Sequence, residues 1–168
     1  VDDVGESTPG GSTYDETSRD NTGVFVSAGF DNNIATAEAS VRYDDNESFG
    51  DFTTFGLGAG YRINALVKVN ASLATGFKTP TFNDLYYPNY GNPDAEPETY
   101  TTKSLSATLT PNRKVKAIAT LYRTEVEDPL NINDNSVDNG DDSRITGKEL
   151  MLMYTESNLE LAATHESI

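Results

Sequence analysis

Apolar and polar residues alternate one by one over most of the chain from residue 23 to its end, and tight and long connections separate the alternating runs in turn. Side chains on an extended strand point to opposite sides at successive residues, so strict alternation marks a strand with one greasy and one wet face. Residues 35–43 are the cleanest case. Ala35, Ala37, Ala39, Val41 and Tyr43 fall on one face, and Thr36, Glu38, Ser40 and Arg42 on the other. Residues 54–63, 67–77, 104–109, 115–121, 146–154 and 159–164 repeat the pattern, giving about eight strands with the run that opens at Gly23. Phe25, Ile118, Tyr122, Met151 and Met153 break it, because each falls on a face otherwise polar or small.

The connections narrow the choice further. Asp31-Asn32-Asn33, Asn64, Pro111-Asn112 and Glu156-Ser157 read as tight turns, whereas residues 44–51, 78–98 and 125–144 read as long polar loops. In an antiparallel meander alternate connections lie at the same end, so one end is tightly turned and the other carries the loops. Outer-membrane barrels are built that way. Residues 1–21 are rich in Gly, Ser, Thr and Asp without periodicity and read as loop.

Alternation alone leaves open whether the apolar face points into a core or out to lipid. Phe30, Tyr43, Phe55, Tyr61, Phe77 and Tyr154 lie near strand ends on that face, with Ala, Val and Leu between them. Two aromatic levels flanking an aliphatic band form the girdle of a membrane barrel. On the opposite face Glu38, Arg42, Arg62, Lys68, Lys116 and Glu149 would make a costly core but suit a wet lumen. The fold expected is an all-β, antiparallel, up-and-down transmembrane barrel segment of about eight strands, a partial barrel forming an open sheet. Two alternatives stand beside it. One is a complete small eight-stranded outer-membrane barrel acting as adhesin or anchor; the other is a soluble acidic β-barrel or sandwich that binds a ligand.

Charge and composition exclude several function classes. Twelve Lys and Arg against 27 Asp and Glu leave a net charge of −15, which repels nucleic acid. Cysteine is absent, removing disulfides, thiolate metal sites and thiol nucleophiles, and His165 is the single histidine. No apolar run approaches the roughly 20 residues of a membrane helix. No nucleophile elbow, phosphate-binding loop or H-E-x-x-H occurs, so no catalytic residue, enzyme activity, metal or cofactor is expected. Asp44, Asp45, Glu47, Asp134, Asp138, Asp141 and Asp142 fit no EF-hand spacing and read as solvated acidic loops.

Residues 78–98 hold Pro80, Pro88, Pro93 and Pro97, which cannot donate to a strand ladder, so this segment must leave the sheet. Tyr86, Tyr87 and Tyr90, with Asn89 among them, either pack the loop onto the barrel rim or contact a bulky ligand. The run from Thr75-Gly76-Phe77-Lys78 through Pro80 and Leu85-Tyr86 to Tyr90-Gly91-Asn92-Pro93-Asp94 and Glu96-Pro97-Glu98 resembles the barrel of TonB-dependent outer-membrane receptors, closest to their cobalamin branch. Arg19-Asp20-Asn21-Thr22-Gly23, Arg42-Tyr43-Asp44-Asp45-Asn46, Tyr122-Arg123-Thr124-Glu125 and Arg144-Ile145-Thr146-Gly147 carry the same resemblance, while Ala95, Glu96 and Lys148 depart from the family's usual residues.

The resemblance implies residues 1–22 as an extracellular loop segment and residues 23–168 as part of the β-barrel domain. The plug domain and TonB box are expected outside these residues, and the eight strands are expected to be part of a barrel of roughly 22. It implies energised uptake, through the TonB complex, of a scarce large nutrient, cobalamin or another ligand of that size. The expected partners are outer-membrane lipid, that ligand and, via the plug, TonB. Tyr86, Tyr87, Asn89 and Tyr90 are the candidate substrate contacts, and Glu38, Arg42, Arg62, Lys68 and Glu149 the lumen wall.

Overall fold

An asparagine opens each of four hairpin turns and sets the architecture. The side-chain oxygens of Asn32, Asn64 and Asn112 each accept the backbone N–H groups two and three residues on, at 2.8 to 3.1 Å. This local bond turns the chain back without needing a long-range contact. In the computed structural model, which describes residues 2–3, 18–133 and 136–168, the strands so joined are β1 (Asp2–Asp3), β2 (Ser18–Arg19), β3 (Asn21–Asp31), β4 (Ala35–Asn46), β5 (Gly50–Arg62) and β6 (Val67–Lys78). After helix α1 (Phe82–Tyr86) come β7 (Glu98–Asn112), β8 (Val115–Glu127), β9 (Leu130–Asn133), β10 (Ser136–Asn139), β11 (Ser143–Glu156) and β12 (Leu159–Ser167).

The main sheet has eight strands in the order β12-β11-β8-β7-β6-β5-β4-β3, all neighbours antiparallel. It is the expected meander, and it is open: β3 and β12 do not pair with each other. The complete eight-stranded barrel is thereby set aside. Pro111 sits where the β7–β8 register shifts between Leu109 and Asn112, a place where its missing N–H costs no ladder bond.

Burial on this sheet runs opposite to that of a soluble protein. Along β5, β7 and β11 the small polar or glycine positions, such as Gly58, Ser104, Ser106 and Glu149, are shielded, whereas Leu57, Leu105 and Leu150 on the other face are exposed. Leu57 is 50% and Leu121 60% exposed. With the polar side shielded and the apolar side open, the polar face is the concave one of a barrel wall and the apolar face the convex, uncovered one. Among the described residues the buried hydrophobic side chains are Phe82, Leu85, Ala95 and Val137, all in the loops. A soluble barrel core built on the alanine face is therefore excluded.

Several details differ from the sequence reading. Residues 44–51 are not a long loop: Asp44, Asp45 and Asn46 pair with Phe52, Asp51 and Gly50, and only Glu47, Ser48 and Phe49 turn. Asn46 accepts from Ser48 and Phe49 N–H, both at 3.1 Å, as in the other turns, and Gly50 supplies the positive φ of 75°. The long connection before β11 carries the β9–β10 hairpin. Strand β3 begins at Asn21, two residues before Gly23, and Ser18–Arg19 pairs with Asp2–Asp3; the loop expected over residues 4–17 lies outside the described residues, as does Asp134. Phe77 leaves the aromatic girdle. The β5–β6 ladder ends at Gly56 and Ala74, and in the opened seam Phe77 stacks on Phe52 with ring centroids 4.1 Å apart. The five residues that broke the alternation lie on the concave face. Tyr122 covers Gly147, and Ile118 stands opposite Met151.

Candidate functional site

The concave wall and the loop cluster above it are the two surfaces that could meet a ligand. On the wall, Glu38 lies over Gly58, where a side chain would come within 2.8 Å of the Glu38 carboxylate arm. Arg62 and Lys68 stand opposite each other at the turn end, and Arg62 Nε donates to the Asn33 carbonyl at 2.9 Å. Glu149 is half-buried between Thr120 and Glu166. Arg42 is near the loop end. All five predicted wall residues thus share the concave face, but they spread over its height and do not converge on one point. Between them run hydroxyl contacts, Ser72 to Ser104 at 2.7 Å and Thr102 to Thr124 at 3.0 Å.

Arg42 is committed to structure. Its Nε and one terminal nitrogen donate to the two Asp44 oxygens, both at 2.6 Å, and Asn21 Nδ2 adds a third bond at 3.1 Å. Asp44 is 1% exposed, so it is not a solvated loop acid; a buried carboxylate needs this full set of donors. Gly23 makes the room, since a Cβ there would fall 2.2 Å from the guanidinium and 2.6 Å from the carboxylate.

The loop cluster begins with a capping box. Thr81 Oγ1 accepts the Asp84 N–H at 3.3 Å and the Asp84 carboxylate accepts the Thr81 N–H at 2.8 Å, which starts α1 immediately after the rigid Pro80. The chain then reverses. Gly91 N–H donates to the Tyr87 carbonyl at 2.8 Å, and a Cβ on Gly91 would lie 2.5 Å from the Tyr87 nitrogen, so only glycine allows this approach. Asn89 takes a positive φ of 73° in the same reversal.

The β9–β10 hairpin closes over this loop. Val137 N–H donates to the Tyr90 carbonyl at 3.0 Å, and the Asn139 amide bridges Glu96 and the Asp128 carbonyl. Leu85, Ala95 and Val137 form the resulting core, with Phe49, Tyr86, Tyr90 and Leu130 packed around it. Asp138, one of the acids of this second loop, bonds Asn92 at 3.4 Å.

The four predicted contact residues therefore separate. Tyr86 and Tyr90 are half-buried against the core, whereas Tyr87 is 37% exposed and Asn89 is exposed. Tyr87 and Tyr90 rings sit 5.2 Å apart in a tilted contact, which joins the exposed ring to the half-buried one. Sequence reasoning missed Arg19. It is 7% exposed, donates to the Pro80 carbonyl at 2.7 Å, and lies 5.7 and 5.2 Å from the Phe49 and Phe82 ring centres. It thereby ties the segment before β3 to the β4–β5 turn and to α1. Its only sequence signal was its place in the Arg19-Asp20-Asn21 run.

Comparison with known proteins follows the same lines. The family described as "TonB dependent receptor-like, beta-barrel" matches residues 1–164. A vitamin B12 transporter BtuB of Vibrio vulnificus is 37% identical over 154 residues, covering 88% of this chain and 25% of that protein. A BtuB of Photobacterium profundum is 37% identical over 149 residues, covering 83% and 24%. The chain thus spans about a quarter of the length of these relatives. Among solved structures, the siderophore receptor PirA of Pseudomonas aeruginosa superposes with a TM-score of 0.74 at 19% identity, over 87% of this chain and 32% of that one. A mutant ferric enterobactin receptor (PfeA) from the same organism also gives 0.74, at 16% identity over 97% and 29%. These two likenesses concern the fold.

Proposed function

The chain belongs to the TonB-dependent receptor family as a stretch of its outer-membrane β-barrel, and from that premise we propose that it supplies wall and ligand-facing loop surface to a receptor for energised uptake of cobalamin. This is a family of transport receptors rather than enzymes. The observation that carries the reading is the inverted burial of the sheet, with an uncovered apolar convex face for lipid and a polar concave face for a wet lumen. Cobalamin is favoured over other large nutrients by the 37% identity to two vitamin B12 transporters.

Capture begins at the cap. Tyr87 offers a flat ring with a hydroxyl, suited to a bulky ligand with both apolar and amide surface, and Asn89 adds donors and an acceptor beside it. The folded cap holds both in place, so little side-chain freedom is lost on binding. Below, Glu38, Lys68 and Glu149 keep the wall hydrated along the path inward. Passage would be driven through a plug and the TonB complex drawing on the proton gradient.

The test is equilibrium binding of cyanocobalamin to the full receptor in outer-membrane vesicles, with ferric enterobactin as the alternative ligand. Cyanocobalamin binding, weakened about tenfold by Tyr87→Ala at unchanged thermal midpoint, is the expected result; one lost contact of ~1.4 kcal/mol gives that factor. Binding of ferric enterobactin and not of cyanocobalamin would overturn the ligand. Unchanged affinity in Tyr87→Ala would remove the tyrosine from the site.

A further inference from the structure

The convex face changes character abruptly at one level. On β7, β8 and β11 the apolar rows Leu109–Ala117–Leu152, Ala107–Ala119–Leu150 and Leu105–Leu121 are followed, toward the loop end, by charged side chains on the same face. Lys103 stands opposite Arg123, Lys148 opposite Leu121, and Arg144 opposite Glu125. Four of the twelve Lys and Arg residues of a chain with net charge −15 gather here, three of them around Glu125. Glu125 meets Lys103 at 3.5 Å, Arg123 at 3.2 Å and Arg144 at 3.4 Å, and the three cationic side chains remain 58%, 43% and 62% exposed. Lys148 is exposed and has no ion pair among the described residues. Glu127 follows Glu125 on the same face of β8, so two carboxylates stand against four cations and the patch keeps about two positive charges facing outward.

The paired row through Lys103 and Arg123 bears Leu73, Leu57 and Ala39 on β6, β5 and β4, so the charges are a local feature of three strands; Lys103 is nine residues from the turn end of β7 at Asn112 and Leu57 five from that of β5 at Arg62, which sets the patch nearer the loops. We propose that Lys103, Arg123, Arg144 and Lys148 form a docking surface for the phosphorylated headgroup of a lipid in the loop-side leaflet, whose acyl chains lie along Leu105, Leu121 and Leu150. Two observations select this occupant. The patch is continuous with the uncovered apolar band, so whatever sits on it must also present hydrocarbon one residue pair below. Its charge is opposite to that of a phosphate, and guanidinium and ammonium groups at the edge of the hydrocarbon are where such headgroups lie. Long Lys and Arg stems reach that level while their aliphatic carbons stay with the leucines.

The test uses the full receptor, purified and delipidated in neutral detergent, with bound lipid counted by native mass spectrometry. The probes are phosphatidic acid, phosphatidylcholine with the same tails, and inorganic phosphate as competitor. Phosphatidic acid should be retained about tenfold better than phosphatidylcholine, given the attraction each basic residue exerts near an anionic surface. The combined variant Lys103→Gln, Arg144→Gln, Lys148→Gln should lose that preference, and Lys103→Arg with Lys148→Arg should keep it. Folding of each is checked by heat-dependent gel mobility. Should the triple variant not fold, Lys148→Gln, which breaks no ion pair, should alone reduce retention about threefold to fivefold. Equal retention of the two lipids overturns the proposal, as does a folded Gln variant that still prefers phosphatidic acid. Displacement by inorganic phosphate as effective as that by phosphatidic acid would mean an anion site without a lipid, and also overturns it.

Discussion

Leu57 is the residue on which the lipid-facing assignment can be tested most sharply. It stands opposite Ala39 on one side and Leu73 on the other, with Tyr61 four residues toward the turns and Thr53, level with Tyr43, four residues toward the loops. At about 3.3 Å per residue and a strand tilt of about 40°, four residues correspond to about 10 Å of depth, so Leu57 lies near the middle of an apolar band about 25 Å tall. Leu57→Arg is therefore expected to cost about 2–4 kcal/mol. Val41 is level with Phe55, about 5 Å nearer the rim, and Val41→Arg is expected to cost about 1–2 kcal/mol, because the penalty falls toward the interface. Ser72, beside Leu57's row but on the concave face opposite Gly58, is the control; Ser72→Arg is expected within about 0.5 kcal/mol of the parent. The assay is a urea titration of the full receptor in lipid vesicles, with the folded fraction read from gel mobility, since this chain has no tryptophan to report. A ranking with Ser72→Arg as costly as Leu57→Arg, or with Val41→Arg the costliest, would refute the depth and face assignment together.

Three further outcomes follow from close packing. Gly91→Ala forces a methyl against the Tyr87 nitrogen and the Leu85 carbonyl, backbone atoms that cannot yield, and should destabilise the cap by about 1–3 kcal/mol, seen as faster proteolysis within residues 79–97. Gly23→Ala should push the Arg42 guanidinium off Asp44 and leave a buried carboxylate short of donors, lowering stability by about 1–3 kcal/mol in the same urea titration; Arg42→Ala should match it. Leu85→Ala should cost about 2–5 kcal/mol, confined to the cap, with amide exchange rising at Val137 and Gly91 while the β4–β5 ladder stays protected.

The strands were legible because their signal is local. Alternation over residues 35–43 needs no knowledge of a partner, and the asparagines that close the turns act on amides two and three residues away. The misreadings arise where the deciding contact is distant. Asp44 and Asn46 look like loop residues by composition, yet Gly50 and Phe52 draw them into a ladder and Arg42 makes burial of Asp44 tolerable. Arg19 finds Pro80 across 61 residues. Phe77 obeys the alternation, but the end of the β5–β6 ladder at Gly56 and Ala74 frees it to stack on Phe52. Thr81 and Asp84 carried a readable helix-start signal, overlooked because the helix they begin has only five residues.

The division between wall and cap has a consequence for the site. Among the described residues the wall has no apolar interior of its own; its convex face is suited to lipid, and its concave face carries hydroxyls, glycines and paired charges. The cap has the opposite economy, a small conventional core of Leu85, Ala95 and Val137 closed by two loops. Among the described residues its links to the wall include Arg19 to Pro80, Phe49 of the β4–β5 turn against its core, and Leu130 N–H to Glu98 at 3.2 Å, with Glu98 itself paired to Lys78 on the neighbouring strand at 2.8 Å. Tyr87 and Asn89 sit on a unit whose order depends most directly on Gly91 and the Leu85 core. Substitutions in that core should weaken ligand capture through positioning, and the thermal midpoint of the wall should not register them.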